Sequence, residues 1–388
     1  MVIMSFLVLV ITLGCSEKDF SLNLGSKEGA EISVMAVILI CIVFFISSSF
    51  IIFFFFFELA LVPTLWLILK WGYQPERLQA GVFMMMYTSC ASMPLMVMLL
   101  WIFSKVGTDK FLLVKMVGED MGGFEVYWFF LVLSFLVKLP IFVFHSWLPK
   151  AHVEAPLSGS MLLAGVLLKL GGFGLCRVLW MVDFTSNDSL VMILVSSVWG
   201  GIICSCLCLC QGDLKALVAY SSIGHMSLCL CGIFSFTSSG LSGAQAMMLC
   251  HGLCSPLLFC LVGVMYNFSN SRSLGLNKGL LVFLPSLVFF WCCFAMLNMG
   301  FPISLNFVSE LILISSCKSI SYYFLPLFCL MCFLTGVYCF YMYGAVCHGG
   351  GSVDSKVSSF MPDRFVYSGV FCIGLLFFSF LGLDFFLL

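Results

Sequence analysis

Four ionisable side chains stand deep inside apolar stretches of this sequence: Glu58, Lys138, Lys169 and Glu310. At a bilayer centre each costs roughly 2.5–3.5 kcal/mol on insertion scales. Two acids and two bases on four different segments can pair, which lowers that cost. A leucine in each place would cost less still, so a set of purely structural ion pairs is the weaker reading. Groups that take up and release protons in an apolar medium fit better. Histidine exchanges protons near neutral pH, and His225 and His251 also lie within apolar runs. The alternative for each is a satisfied core histidine. His145 and His152 flank the polar turn 146–150.

The neighbours of these groups carry a second signal. Pro140 follows Lys138 by two positions, and a proline has no N–H to give, so the carbonyl of Leu136 loses its helical partner. Pro302 does the same to Asn298 ahead of Glu310, and Pro256 to Gly252 beside His251. Non-helical backbone at membrane depth is tolerated only where protein or water satisfies it. Broken helices beside buried ionisable groups are how transporters build midplane ion sites. Lys169 has Gly165 and Gly172 at i−4 and i+3, on one helical face, where a neighbouring helix can approach closely. A pure packing seam would avoid the lysine.

Long apolar helices must position these groups. A crossing needs about 20 apolar residues. The run 32–69 is about twice that and is predicted to fold as two helices with a turn near Ser47–Ser49. Further spans are expected at 78–103, 123–148, 156–180, 190–210, 214–236, 241–266, 279–316, 322–346 and 365–388. The segment 279–316 is too long for one straight helix and contains Pro302, so it is predicted to break within the membrane. The run 1–14 reads as a short or partial membrane segment, because it lacks the positive start of a signal peptide.

The composition agrees. Hydrophobic residues make up 62% of the 388 and charged ones 9%, against about 25% in a soluble domain. Such a chain cannot cover a water-facing surface. A net charge of −1 excludes the basic face that nucleic acid needs. The 21 cysteines fall mostly in apolar runs, such as Cys204, Cys206, Cys208 and Cys210, and read as small hydrophobes rather than zinc ligands. No phosphate loop, dinucleotide fingerprint or hydrolytic triad is present. The wealth of phenylalanine and valine points to a thymine- and guanine-rich coding strand, as in organellar genes.

Loop charge sets the orientation. One set of alternate loops holds Lys18, Lys27, Lys70, Arg77, Lys150, Lys215, Arg272, Lys278, Lys356 and Arg364; the other holds Lys105, Lys110, Lys115, Arg177 and Lys318. The richer set is expected on the matrix or cytoplasmic side.

The stretch Val137-Lys-Leu-Pro-Ile-Phe-Val-Phe-His145-Ser-Trp-Leu-Pro-Lys-Ala-His-Val-Glu-Ala-Pro156, continuing through Leu168-Lys169-Leu-Gly-Gly-Phe-Gly174, resembles the signature of the antiporter-like subunits of respiratory complex I. Glu58-Leu-Ala-Leu-Val-Pro63, Trp71-Gly-Tyr-Gln-Pro-Glu-Arg-Leu78, Asp213-Leu-Lys-Ala-Leu-Val-Ala-Tyr-Ser-Ser222, His251-Gly-Leu and Asn306-Phe-Val-Ser-Glu310 are similar to its subunit 4 branch. The likeness runs from about residue 35 to 345.

The resemblance implies an all-α polytopic membrane bundle with two inverted five-helix repeats and two discontinuous helices among fourteen. It implies that Glu58, Lys138, Lys169 and Glu310, with His225 and His251, form the proton-translocating set. A glutamate at 310, rather than a lysine, fits subunit 4 over subunits 2 and 5. It also implies a mitochondrial inner-membrane location and membrane partners of the subunit 2 and 5 type, together with lipids. NADH, FMN, iron–sulfur clusters and ubiquinone would belong to other subunits, and no metal is expected.

On this reading, residues 1–32 are a reduced N-terminal membrane segment and loop, 33–346 the antiporter-like core, and 347–388 a loop with a final helix. Only about 57 residues precede Glu58, so early family helices are expected to be absent or reduced. Two other readings stand beside the leading one: a stand-alone or multi-subunit cation/proton antiporter, and a structural membrane subunit that does not pump.

Overall fold

In lipid a backbone N–H or C=O has no water to bond, so each crossing must satisfy its own groups, and an apolar chain becomes a row of helices. The computed structural model describes residues 1–22, 27–117, 124–181, 188–318, 320–350 and 363–381. Its first helices are α1 (Val2–Leu22) and α2 (Lys27–Ile46). Next, α3 (Phe50–Leu59) and α4 (Leu61–Trp71) form one crossing, followed by α5 (Arg77–Val106) and the short α6 (Phe111–Val117). The halves of a broken crossing are α7 (Phe124–Lys138) and α8 (Trp147–Glu154). Helix α9 (Leu157–Leu162) continues through a π-helical turn, Leu163–Leu167, into α10 (Leu168–Met181). Then come α11 (Asp188–Cys210), α12 (Leu214–Ile233) and α13 (Ser238–Ser269). The second broken crossing is α14 (Leu280–Phe283), α15 (Pro285–Asn298) and α16 (Leu305–Lys318), and α17 (Phe324–Cys347) and α18 (Asp363–Leu381) follow. Among the described residues, eight crossings are long and apolar enough to span a membrane outright. This is a multi-pass, all-α membrane bundle.

Two successive runs of five crossings share one plan. The first runs from α2 to α10 and the second from α11 to α17. In each, the third crossing is the longest and holds an internal proline, Pro94 in α5 and Pro256 in α13. In each, the fourth is broken. Five is odd, so the second run starts on the opposite side from the first and is inverted.

The predicted turn near Ser47–Ser49 is present. Ser48 and Ser49 lie beside the loop before α6, with Phe111 N–H donating to the Ser48 carbonyl at 3.3 Å and Phe50 N–H to the Asp109 carbonyl at 2.9 Å. The opposite face is stitched by polar contacts of Lys215, Arg272 and Arg77, residues of the lysine- and arginine-richer set. Arg77 donates to the Gly72 carbonyl at 2.9 Å, Lys215 to Ala155 at 3.0 Å and Arg272 to Val153 at 2.7 Å. The last two bonds cap the C-terminal end of α8, where unpaired carbonyls and the helix dipole favour cations. The side chains of Lys18, Lys27, Lys356 and Arg364, and residues 382–388 of the last expected span, lie outside the described residues.

Both predicted breaks are real, and each carries a residue in the left-handed region, Val143 at φ 65° and Ile303 at φ 81°. The freed carbonyls find new partners. Leu136 accepts from Ile141 N–H at 3.2 Å, Val137 from the Trp147 indole at 3.1 Å, and Asn298 from the Asn306 amide at 3.2 Å. Pro256 behaves differently from the expectation. Helix α13 passes through it unbroken, packed on every side. Helices α12 and α13 are buried along nearly their whole length, and the polar row lies against them.

Candidate functional site

Lys169 is wholly buried. The π-helical turn just before it departs from the regular bonding of the helix, and the Lys169 ammonium donates to the carbonyl of Ala164 within that turn. The same Nζ lies 2.8 Å from Nδ1 of His251 on α13. An ammonium can only donate, so opposite a charged Lys169 the His251 ring proton sits on Nε2. The glycine face works as predicted. A Cβ at Gly165 would lie 3.0 Å from Pro256 Cγ, and one at Gly172 would strike Met248, both on α13. On α13, a Cβ at Gly252 would lie 3.3 Å from Lys169 Cε. Small residues on both helices let the lysine reach the histidine.

The row continues from there. The rings of His251 and His225 have centroids 5.7 Å apart. His225 Nδ1 stands 3.6 Å from Glu310 Oε1, and its Nε2 lies 3.3 Å from the Tyr338 hydroxyl. His225 is wholly buried and Glu310 nearly so. The break between α15 and α16 shapes the glutamate's pocket. Gly300, at φ 72°, presents no side chain there, and a Cβ on it would lie 2.8 Å from Glu310 Oε2. Cys332 Sγ completes the surround at 3.9 Å.

Glu58 and Lys138 form a second group at the other break. Lys138 is 4% exposed, yet its Nζ donates to the carbonyl of Phe57 at 2.8 Å rather than to the Glu58 carboxylate. It also lies over the Phe57 ring at 3.3 Å. Glu58 is half-buried. Its Oε1 has no hydrogen-bond partner, and Ser92 of α5 is its hydroxyl neighbour. Pro63 removes the N–H that would have bonded Leu59, so the helical bonding of this crossing is interrupted at Ala60, between α3 and α4 just beyond Glu58.

The structure therefore joins Lys169, His251, His225 and Glu310 into one row, with both histidines in series, and brings Glu58 beside Lys138. The two groups meet only through packing. A Cβ at Gly171 of α10 would lie 3.2 Å from Lys138 Cβ, while the two ammonium groups reach different partners. His152 stacks on Phe259 with centroids 4.7 Å apart, wholly buried, and neither ring nitrogen has a partner. His145 stacks on Phe142 at 5.2 Å. Sequence reasoning passed over Tyr338, Phe57 and Gly300. A tyrosine, a phenylalanine or a glycine in an apolar run carries no signal until its neighbour is known.

Discontinuous helices, inverted runs and a buried row of titratable groups define an antiporter-like membrane protein. The chain belongs to the NADH:quinone oxidoreductase/Mrp antiporter transmembrane family, whose pattern matches residues 47–335. It is 46% identical over 293 residues to NADH-ubiquinone oxidoreductase chain 4 of Locusta migratoria, covering 75% of this chain and 65% of that relative. It is 45% identical over 293 residues to the chain 4 protein of Albinaria caerulea, covering 75% and 67%. The chain thus spans about two thirds of the length of these relatives. In fold it matches a chain of respiratory complex I from Thermus thermophilus, with TM-score 0.80, 20% identity and coverage of 94% of this chain and 80% of that one. A chain of the Mrp complex from a Dietzia species is also similar, at TM-score 0.84 and 15% identity, with coverage of 98% and 81%.

Proposed function

We propose that this chain is a proton-translocating membrane subunit of NADH:ubiquinone oxidoreductase, of the chain 4 type, in the mitochondrial inner membrane. Its neighbours there would be antiporter-like subunits of the subunit 2 and 5 type, and lipids. The redox groups would belong to other subunits. The single observation that carries the reading is the contact row Lys169–His251–His225–Glu310, buried from end to end. A row of structural ion pairs would alternate acid and base. This one places two histidines between a lysine and a glutamate, and each link can both receive and release a proton.

In the relay, Lys169 gives a proton to His251 and His225 gives one to Glu310. Glu58 and Lys138 act as a switch. With Lys138 on the Phe57 carbonyl the pair is open. Closing it onto Glu58 would stabilise both charges, while burial opposes both, so a small movement alters the balance. The 2.8 Å bond to Phe57 sets the contact that movement must break.

The test is co-purification in mild detergent followed by reconstitution. The chain should migrate in an assembly of nearly a megadalton that oxidises NADH, and Glu310→Gln in that assembly should stop proton translocation. Recovery in a small complex that exchanges sodium or potassium for protons would favour the antiporter reading. Full pumping by the assembled Glu310→Gln variant would leave a structural subunit.

A further inference from the structure

Tyr338 lies in α17, the fifth crossing of the second run, as Lys169 lies in the fifth crossing of the first. It is 1% exposed, and its hydroxyl stands 3.3 Å from His225 Nε2. The same ring lies against His251 of α13 and Glu310 of α16, shares a side-chain hydrogen bond with Asn298 of α15, and lies within electrostatic reach of Lys169 on α10. The thiols of Cys208, Cys254 and Cys339, and the Glu310 carboxyl, lie within electrostatic reach of the phenol. Among the described residues, Tyr338 is thus the hydroxyl bonded to the ring that faces Glu310.

A neutral imidazole carries one proton and leaves its other nitrogen bare. When Glu310 is a carboxylate, Nδ1 must present its proton to it, so Nε2 is bare and needs a donor. When Glu310 is protonated, its O–H faces Nδ1, the ring proton belongs on Nε2, and Nε2 needs an acceptor. A hydroxyl meets both needs by turning about one bond, and a carbonyl or an ammonium meets only one.

We propose that Tyr338 is the positioning residue of His225, donating to Nε2 in one state and accepting from it in the other, so that the ring can change tautomer as a proton passes to Glu310. The inference rests on the proton-relay reading above. The step balances. Imidazolium gives its Nδ1 proton to the Glu310 carboxylate, and the neutral ring that remains keeps its proton on Nε2, held by the phenol oxygen.

Two substitutions in the assembled complex separate this role from packing. Tyr338→Phe keeps the ring volume and loses the hydroxyl; Tyr338→Gln loses the ring and keeps a group that can donate or accept. Phe should lower NADH-driven proton translocation about fivefold to tenfold, the worth of one hydrogen bond, and move its pH optimum by about half a unit. Gln should recover some of the rate. A packing role predicts the reverse order, with Phe near wild type at an unmoved optimum and Gln worse, and that result overturns the proposal. If Gln does not assemble, the pH optimum of the Phe variant decides alone. Glu310→Gln runs alongside. If it pumps normally, the relay reading fails. If it stops pumping while Tyr338→Phe does not, only the assignment of Tyr338 fails.

Discussion

His225 Nδ1 and Glu310 Oε1 face each other across 3.6 Å, and neither atom has another hydrogen-bond partner. The gap is wider than a hydrogen bond by roughly half an ångström. Two buried polar atoms left short of contact cost free energy, and a small movement of α16 against α12 would close the gap. In the proposed relay, this link is the one that must close before a proton can pass.

Removing the acid should therefore stop transfer while keeping the shape. Glu310→Gln preserves volume and can still donate to Nδ1, so the bundle should assemble. Proton translocation in proteoliposomes, followed by a pH-sensitive dye, should fall by at least about a hundredfold, the usual worth of a positioned proton-transfer group. Unchanged translocation by the assembled variant would remove Glu310 from the path.

Lys169→Arg offers a sharper distinction. Arginine keeps the charge and can reach His251, but it does not give up its proton. An ion-pair role would accept that exchange at a modest packing cost. A relay role would not, and assembled complex should then oxidise NADH with little pumping. A pumping Lys169→Arg complex would argue for a fixed charge at this position.

Gly300→Ala tests the glutamate's pocket. The φ of 72° strains any residue with a side chain, and the added methyl meets Glu310 Oε2 at 2.8 Å. The carboxyl must shift away from His225 or the break must reshape. Pumping should drop about tenfold or more, with the complex still assembled, since a displacement near 1 Å in a transfer geometry is costly. Wild-type pumping would show that the loop yields freely.

Glu58→Gln should reduce pumping strongly without loss of assembly, because the carboxylate is the charge toward which Lys138 can swing. Pro140→Ala in the neighbouring break gives Leu136 back a helical N–H in competition with Ile141, and should slow turnover while leaving the helix as stable or more so. The checks are turnover and hydrogen exchange over residues 131–147. Normal turnover with unchanged protection would make the break incidental.

Lys215→Met removes a cation from the end of α8. The carbonyl of Ala155 then loses its donor, and the half-helix should fray. Faster hydrogen exchange at 147–154, by roughly tenfold for the loss of one charged hydrogen bond, is the expected result. Unaltered exchange would mean that Arg272 alone holds the end.

Much of this protein was legible from residue order. A bilayer leaves an apolar backbone no choice but helices, so span positions followed from run length, and the paired helices on either side of Ser47–Ser49 fell where predicted. Proline chemistry is local, so the breaks at Pro140 and Pro302 could be read directly. The cost of a charge in lipid marked Glu58, Lys138, Lys169 and Glu310 individually.

Who meets whom was decided by the tertiary structure. Pro256 shows the limit of local reading, since packing around α13 overrides its missing bond. Residue order put His225 and His251 in separate apolar runs, and the fold sets their rings 5.7 Å apart because α12 and α13 pack side by side. Residue order allowed two acids and two bases to pair without saying which, and the folded chain brings Lys138 beside Glu58 yet holds it on the Phe57 carbonyl, one residue away. Tyr338 and Gly300 carried no mark at all. Their roles arise from distance to a ring and a carboxylate on other helices, and distance between helices is set by the packing of small residues, which residue order alone does not specify.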